Sequence, residues 1–326
     1  MKIKLLFNGF RHGHILALYH KAAASELVEI AGCIETDALA REAAEKSLGI
    51  RFSEESYDQW LETDIDAVAV GNAYGDRAEV IIKALSAGKH VIADKPICTD
   101  LAQLETIRQL AQEKGLKIVG MLDLRYLPQT LEAKKILDSG RLGQVRNVSF
   151  NGQHCIDYEH RPGWYFEKGM HGGTINDLAI HGVDLVRMMT NQEIVKIDAA
   201  RVWNSYARLH PDFKDSAMFM ARLENGAGIL ADVSYSAPSQ VFSMPTYWEF
   251  RFWCEKGMLT FNYVDSIVTL YEEGKLEPVT VSCAPAIRDY LHELADEIRG
   301  ATEATWNILK STETALLLQQ AADKEG

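Results

Sequence analysis

Residues 3–14 of the chain are IKLLFNGFRHGH. The apolar run from Ile3 to Phe7 is typical of a short buried strand, and residues His14 to Ala24 have helical spacing. Between them lies a turn that contains Gly9 and Gly13. A strand, a glycine turn and a helix in this order predict the first unit of an α/β fold.

The same alternation continues to residue 121. Buried strands are predicted at Val28–Ile34, Ala67–Val70, His90–Ala93 and Lys117–Met121. Helices are predicted between them at Ala38–Leu48, Arg77–Ala87 and Leu101–Lys114. Strands that alternate with helices of this length indicate a parallel sheet with right-handed crossovers. Residues 1–121 are therefore predicted to form a Rossmann-type, doubly wound dinucleotide-binding domain.

The pattern changes after residue 121. A helix is predicted from Pro128 to Ser139, and from Gln144 the chain is mainly β. Three glycine turns, at residues 223–226, 255–257 and 272–275, are typical of hairpins. One helix is predicted at Thr174–Met189 and two more within Ile287–Ala322. Residues 122–326 are therefore predicted to form an α+β domain with an open, largely antiparallel sheet, whose C-terminal helices can pack back on the first domain.

Composition narrows the class of protein. The 326 residues carry a formal net charge of -12, which argues against nucleic acid and anionic membrane surfaces as partners. The five cysteines are widely spaced and form no CxxC, as expected in a reducing compartment. The opening residues lack a secretory apolar region, and no stretch approaches the ~18 apolar residues of a membrane span. We expect a cytoplasmic protein.

The turn after the first strand is a candidate dinucleotide site. A glycine there lets the backbone approach a pyrophosphate, whose charge is favoured at a helix N-terminus. The full fingerprint is G-x-G-x-x-G, but Arg11 and His14 stand where its second and third glycines belong. A glycine turn of an ordinary α/β protein is the alternative.

Glu35, at the end of the second strand, is a second candidate. It lies 26 residues after Gly9, close to the spacing of about 20 expected for the acid that binds the adenosine ribose. A carboxylate would repel a 2′-phosphate, and Thr36 and Asp37 follow it instead of a base. NAD is therefore favoured over NADP, unless Glu35 is simply a solvated loop acid.

Two further segments concentrate reactive side chains. Lys95 stands in Asp94-Lys95-Pro96 at the end of the fourth strand, where parallel sheets bind ligands, although most lysines are simply surface groups. Asp177 and His181 are four residues apart and would share one face of a helix. That pair suits proton transfer, a metal site or a plain structural contact. The nearby histidines at positions 154, 160 and 171 mean that counting alone does not exclude zinc.

These segments together resemble the glucose-fructose oxidoreductase / inositol dehydrogenase (Gfo/Idh/MocA) family. The resemblance rests on the turn at Gly9, the stretch AGKHV at 87–91, Asp94-Lys95-Pro96 in place of E-K-P, RYLP at 125–128, Leu142-Gly143, and residues 172–184. The last segment is similar to the pattern G-G-x-x-x-D-x-x-x-H-x-x-D. The resemblance covers nearly the whole chain.

The resemblance implies a Rossmann domain followed by a mainly β domain, with Lys95, Asp177 and His181 as the catalytic trio. It implies hydride transfer between NAD or NADP and a sugar, inositol or related polyol. It also implies a homodimer or homotetramer formed through the open sheet face. No bound metal is expected.

The remaining site predictions concern binding. Phosphate contacts are expected from the backbone of Phe10, Arg11 and His12, with help from the Arg11 side chain. Further cofactor contacts are expected from Gly71, Asn72, Tyr74, Asp94 and Lys95. Asp94 is one methylene shorter than the family's glutamate and would hold the nicotinamide ribose differently. Substrate contacts are expected from Arg125, Trp164 and Tyr165, although the two aromatic residues could equally belong to the core or an interface.

Three alternative functions stay open. The first is a redox-neutral glycoside hydrolase that keeps NAD bound. The second is a non-catalytic nucleotide sensor. Loss of Lys95 or His181 would have indicated it, but both residues are present. The third is a metal-dependent enzyme.

Overall fold

The structure, a computed structural model, describes residues 1–301 and 308–324. The chain divides into two compact units. Unit 1 comprises Met1–Leu122, Pro162–Gly172 and Arg288–Thr312; unit 2 comprises Asp123–Arg161, Gly173–Ile287 and Glu313–Gly326. Residues 302–307, inside the predicted helical stretch Ile287–Ala322, lie outside the described residues. The domain boundary after residue 121 stays a prediction.

The regular elements follow in chain order. The strands are β1 Ile3–Asn8, β2 Val28–Ile34, β3 Ala67–Val70, β4 His90–Ala93, β5 Ile118–Gly120, β6 Val145–Gln153, β7 Ile194–Trp203, β8 Ser216–Leu223, β9 Gly228–Ser234, β10 Phe250–Cys254, β11 Gly257–Phe261, β12 Ile267–Glu272 and β13 Val279–Ser282. The helices are α1 His14–Ala23, α2 Ala38–Leu48, α3 Tyr57–Leu61, α4 Tyr74–Ser86, α5 Leu101–Lys114, α6 Pro128–Asp138, α7 Ile180–Thr190, α8 Tyr290–Ile298 and α9 Ile308–Asp323. Among the residues described, no helix is both long and apolar enough to cross a membrane.

The five strands of unit 1 form a parallel sheet in the order β2-β1-β3-β4-β5. Every residue of β3 is buried, as expected for a strand of a parallel sheet covered on both faces. Along the chain, the strand order changes direction between β1 and β3, and ligands bind at the carboxyl ends beside such a switch point. The predicted doubly wound Rossmann-type sheet is confirmed.

Local chemistry explains the helix ends of unit 1. The carboxylates of Asp37 and Asp100 accept hydrogen bonds from the first backbone amides of α2 and α5, whose bounds match the prediction. The helix predicted from Arg77 begins three residues earlier, at Tyr74. The short helix α3 was not predicted because five residues are too few to show a helical period.

The strands of unit 2 form an eight-stranded sheet in the order β13-β12-β11-β10-β6-β9-β8-β7. Every neighbouring pair is antiparallel except β6 and β9, which are parallel. The three predicted glycine turns connect β8 to β9, β10 to β11 and β12 to β13. The largely antiparallel second sheet is therefore confirmed.

Alternation along β8 separates the two faces of this sheet. Ala217, Phe219, Ala221 and Leu223 are buried on one face, as the period of two predicts. Met218 and Met220 are exposed on the other face. We call these the inner and outer faces of the unit 2 sheet. Helix α7 packs against β6.

The helix predicted at Thr174–Met189 differs in its first turn. Residues Ile175–Ala179 form a π-helical turn, and the α-helix α7 begins at Ile180 and ends at Thr190. Asp177 therefore lies in the π turn and His181 in the first turn of the α-helix, and the prediction that both share one face stays a prediction. Single π turns inserted in helices occur frequently at functional sites.

Candidate active site

The turn after β1 is held close to the turn after β3. Gly9 has φ of +88°, and a Cβ there would lie 2.6 Å from the backbone nitrogen of Asn72. A Cβ on Gly71 would lie 2.4 Å from the carbonyl oxygen of Gly9. The amide of Arg11 donates to the Gly71 carbonyl at 3.0 Å. Glycine is therefore required at both positions, because the two backbones touch.

The backbone amides of this turn divide into two groups. Phe10 donates its amide to Glu35 Oε2 at 2.5 Å, and Arg11 donates to Gly71, so neither amide points to a ligand. The amides of His12 and Gly13 have no acceptor among the described residues, and no atom lies within 4 Å of a Cβ built on Gly13. These two amides stand at the N-terminus of α1, the position that favours an anion. The amides of Phe10 and Arg11, which were predicted to contact phosphate, thus already have acceptors in the protein, and the predicted contact of the His12 amide stays a prediction.

Glu35 is only 5% exposed. Its Oε2 accepts from the Phe10 amide, and its Oε1 accepts from the Asp37 amide at 2.8 Å. Each carboxylate oxygen can accept a second hydrogen bond, so the predicted ribose contact stays compatible with this geometry. The Arg11 side chain, predicted to help with phosphate, lies 3.5 Å from the Asp37 carboxylate.

Asp94 is fully buried at the end of β4 and is bound on both oxygens. Its Oδ2 lies 2.8 Å from Arg77 Nη2 and 2.5 Å from His12 Nδ1, and its Oδ1 lies 3.0 Å from His14 Nδ1. Burial alone would raise the pKa of Asp94, but Arg77 and the two imidazoles hold that pKa well below its usual value. The predicted contact between Asp94 and the nicotinamide ribose therefore competes with three groups already bound.

His12 is the partner whose protonation state can be assigned. Burial lowers the pKa of His12 to about 4, since the neighbouring Asp94 offsets only part of the lost hydration. The imidazole is then neutral near pH 7 and donates Nδ1–H to Asp94. Its Nε2 accepts from the Tyr74 hydroxyl at 3.1 Å.

The same cluster is the group of described residues whose spacing could hold a metal ion. One ligand atom from each of His12, His14 and Asp94 lies within 4.8 Å of the others. Arg77 already neutralises the carboxylate, and the Lys95 charge is close enough to lower the pKa of His12. A divalent cation would enter a site that is already electropositive, so the charges favour an anion nearby.

The aromatic residues predicted to bind ligands are buried in unit 1. Tyr74 is 0% exposed, and its hydroxyl lies 2.6 Å from that of Tyr165. Trp164 packs against Tyr74 with ring centroids 4.8 Å apart and donates its indole N–H to the carbonyl of Arg11 at 3.2 Å. Trp164 and Tyr165 are each 2% exposed. Their substrate contacts, and the cofactor contact of Tyr74, stay predictions.

Lys95 is 3% exposed and follows Asp94 directly. The Lys95–Pro96 peptide bond is cis. The ammonium lies 5.8 Å from the centre of the Tyr74 ring, within the range of a cation–π contact. The sequence analysis left open that Lys95 is an ordinary surface lysine. Its burial contradicts that alternative, because lysines are almost never fully buried without a specific role.

In unit 2, Asp177 is 1% exposed and accepts a hydrogen bond from the Tyr235 hydroxyl. The glycines before it serve packing: Gly173 has φ of +96°, and a Cβ there would lie 2.2 Å from Gln319. The Oε1 atom of Gln319 accepts from the Ile175 amide at 2.9 Å, so it satisfies an amide at the start of the π turn.

His181 is 7% exposed, and its imidazole lies edge-on to Trp248, with ring centroids 5.5 Å apart. Trp248 has φ of +48°, a strained conformation for a bulky residue. Its indole lies on Gly152, where a Cβ would be 2.5 Å from the ring. The sequence analysis missed Trp248 and Tyr235, because their contacts with His181 and Asp177 span 67 and 58 positions and leave no local pattern.

Arg125 has a carboxylate partner within unit 2. Its Nε and Nη2 atoms each lie 2.6 Å from an oxygen of Asp184, and both side chains are almost completely buried. A bidentate pair of this kind fixes the guanidinium plane. The substrate contact predicted for Arg125 stays a prediction, but two of its nitrogens bind Asp184.

Comparisons with known proteins agree across both units. Residues 7–121 match the oxidoreductase family with an NAD-binding Rossmann fold, and residues 130–260 match the GFO/IDH/MocA C-terminal domain. The chain is similar to inositol 2-dehydrogenase 2 of Saccharopolyspora erythraea, at 27% identity over 80% of this chain and 76% of the relative. It is also similar to levoglucosan dehydrogenase of Pseudarthrobacter phenanthrenivorans, at 26% identity over 68% of this chain and 62% of the relative.

Solved structures agree at the level of the fold. The aldose-aldose oxidoreductase of Caulobacter crescentus, solved with glycerol, superposes with a TM-score of 0.81. The match covers 100% of this chain and 99% of the other, at 20% identity.

Proposed function

Because the chain belongs to the GFO/IDH/MocA family of NAD-binding oxidoreductases, we propose that it transfers a hydride between nicotinamide and a carbinol or carbonyl carbon of a sugar, inositol or related polyol. Relatives named inositol 2-dehydrogenase and levoglucosan dehydrogenase support this substrate class. The observation that carries the proposal is the burial of Lys95 at the carboxyl end of β4.

The protein's own part in the reaction is to handle one proton and one developing charge. His181 accepts the hydroxyl proton as the substrate is oxidised. Lys95 donates a hydrogen bond to the same oxygen and stabilises its negative charge as the proton leaves. Asp177 orients the substrate hydroxyl or the imidazole, and Tyr235 in turn fixes Asp177. When bound, the nicotinamide supplies the hydride acceptor.

Cofactor binding is assigned to the turn after β1. The amides of His12 and Gly13 would donate to the pyrophosphate, since both lack an acceptor among the described residues and stand at the start of α1. Glu35 would accept from the adenosine ribose hydroxyls. NAD is therefore preferred over NADP, because the carboxylate would repel a 2′-phosphate.

The first experiment is a panel of sugars, inositols and sugar acids, assayed by the absorbance of reduced nicotinamide with NAD and NADP in parallel. At least one polyol should be oxidised, faster with NAD. Absence of turnover on the whole panel, in both directions, would contradict the proposal. Sugar release without net NADH would support a redox-neutral hydrolase instead.

The second experiment tests the catalytic residues by substitution. His181→Ala and Lys95→Ala should each lower turnover by about 10²–10⁴-fold and leave the dissociation constant for NADH within a factor of about three. The matched controls are His20→Ala and Lys46→Ala, both at exposed positions. Full activity of either active-site variant would refute its role.

We also propose that the enzyme is cytoplasmic and works as a homodimer or homotetramer. The support is the outer face of the unit 2 sheet, where Leu230 and Trp253 are 57% and 52% exposed. Large exposed apolar side chains on one face are typical of an interface. A monomer mass in light scattering would contradict this assignment.

A further inference from the structure

Three locally unfavourable residues meet on the inner face of the unit 2 sheet, beside His181. Trp248, in the turn before β10, has φ of +48°, a strained conformation for a bulky side chain. Gly152 lies within β6 and Gly182 within α7, although glycine weakens both strands and helices. Local preferences are broken together mainly at functional or strained sites, so this corner of unit 2 is a candidate for a specific role.

The two glycines let three elements approach one another. A Cβ on Gly182 would overlap the ring of Phe150, so α7 lies directly on β6. A Cβ on Gly152 would lie 2.5 Å from the Trp248 indole, so this ring rests on the backbone of β6. Phe250 of β10 lies opposite Phe150 of β6, and the same register continued by two residues places Trp248 opposite Gly152. The indole therefore fills the space that a side chain at position 152 would need.

The backbone on both sides of Trp248 is fixed by hydrogen bonds. The carbonyl of Tyr247 accepts from the amide of Tyr263 at 3.1 Å. Asn151 donates its amide to the carbonyl of Glu249, and its side-chain oxygen accepts from the Glu249 amide, both at 3.2 Å. Trp248 is only 2% exposed. Its surroundings thus hold the strained conformation in place, as is typical of strain at functional sites.

The fixed indole forms a wall against the imidazole of His181. The two ring centroids are 5.5 Å apart and the ring planes meet at 72°, a favoured edge-to-face arrangement. The terminal torsion of a histidine side chain is intrinsically broad, so a neighbouring rigid ring is needed to restrict it. That torsion decides where the ring nitrogens point, and a general base must keep its nitrogen within hydrogen-bond reach of the proton it takes.

We propose that Trp248 is a positioning residue, which holds the imidazole of His181 at the angle needed for proton transfer. This role rests on the proposed dehydrogenase function, in which His181 accepts the hydroxyl proton. Trp248 acts through His181 and not by contact with the substrate. A displacement of about 1 Å in a catalytic group can lower turnover about 10²-fold. Loss of the indole should therefore lower kcat and leave KM nearly unchanged.

The first measurement is steady-state kinetics of the full chain on an accepted polyol. Trp248→Leu should lower kcat about 10–100-fold, with the KM for the polyol and the dissociation constant for NADH each within a factor of about three. Trp248→Phe should recover most of this loss, because it keeps a flat ring beside the imidazole. The matched control is Phe252→Leu, which removes another fully buried aromatic ring from β10.

A second variant perturbs the same contact with the indole retained. Gly152→Ala places a Cβ against the indole and displaces it, so kcat should fall here too. Its control is Gly228→Ala in the same sheet, where the added Cβ meets only the end of the Asn147 side chain. Should Trp248→Leu fail to fold, Gly152→Ala carries the test.

The second measurement needs no turnover. It is the NMR spectrum of the full chain with isotope-labelled histidine, in which His181→Gln identifies the imidazole signal of His181. In Trp248→Leu this signal should shift, because the ring current of the indole is lost, and broaden, because the imidazole samples more orientations. The signal of the exposed His20 should stay unchanged, and Phe252→Leu should leave the His181 signal in place.

The other outcomes overturn the proposal. A wild-type kcat in Trp248→Leu, or a loss no larger than that of Phe252→Leu, would show that the indole only fills space. A higher KM with unchanged kcat would make Trp248 a substrate contact. If no polyol is turned over, the dehydrogenase proposal fails, whereas turnover that Trp248→Leu and Gly152→Ala leave intact refutes the positioning role alone. An unshifted and sharp His181 signal in Trp248→Leu would refute that role without any substrate.

Discussion

Replacement of Asp184 by Asn is expected to destabilise unit 2 severely, although the change removes only a charge. The side chains of Arg125 and Asp184 are 9% and 1% exposed, and their two N–O distances are 2.6 Å. Breaking a buried pair by neutralising one partner leaves an uncompensated charge and costs about 3–5 kcal/mol. For a unit of this size that corresponds to a melting temperature lower by roughly 6–20 °C.

Thermal unfolding of three variants separates this structural role from substrate binding. Asp184→Asn and Arg125→Met should both unfold at much lower temperature. The double variant with Leu at both positions should recover most of the loss, because no buried charge remains. If Arg125→Met instead keeps the wild-type melting temperature and raises the KM for a polyol at least about tenfold, Arg125 is a substrate ligand and the ion-pair argument is wrong.

Three further predictions concern unit 1. Gly9→Ala should weaken NADH binding in a fluorescence titration at least about tenfold and cost about 1–3 kcal/mol of stability, because φ is +88° and the added Cβ meets backbone. The control Gly163→Ala adds its Cβ to open space and should bind normally. Glu35→Gln should reduce the preference for NAD over NADP by about 10–100-fold in kcat/KM, and an unchanged ratio would contradict its ribose contact. Burial lowers the pKa of His12 to about 4. Between pH 6.5 and about 4 the unfolded state therefore binds more protons than the folded state. Acidification through that window should lower the free energy of unfolding by up to about 3 kcal/mol through this residue. His12→Gln should flatten the pH dependence of unfolding and His20→Gln should not; equal slopes would refute the assignment.

Much of unit 1 could be predicted because its signals are local. The strands β2, β3 and β4 and the helices α2 and α5 begin and end where the hydrophobic runs and capping residues indicate. In unit 2 the glycine turns indicated where the hairpins lie, and the period of two along β8 identified its buried face. These patterns need only neighbouring residues, which is why they are visible in one sequence.

The candidate site was harder to predict, because its contacts join distant positions. The carboxylate of Asp94 binds imidazoles about 80 residues earlier in the chain, and no pattern around His12 indicates that partner. Phosphate contacts were predicted for the backbone of Phe10, Arg11 and His12, since the sequence does not show that Glu35 and Gly71 already accept from the first two amides. The π turn at Asp177 likewise has no simple signature in the sequence.

The central claim is that the ammonium of Lys95 and the imidazole of His181 act on a single substrate oxygen. The most direct measurement is kcat on an accepted polyol for Lys95→Ala, His181→Ala and the double variant. Groups that serve one proton transfer give strongly non-additive losses, so the double variant should be little slower than the slower single variant. Losses that simply multiply, or no loss in either single variant, would contradict the account.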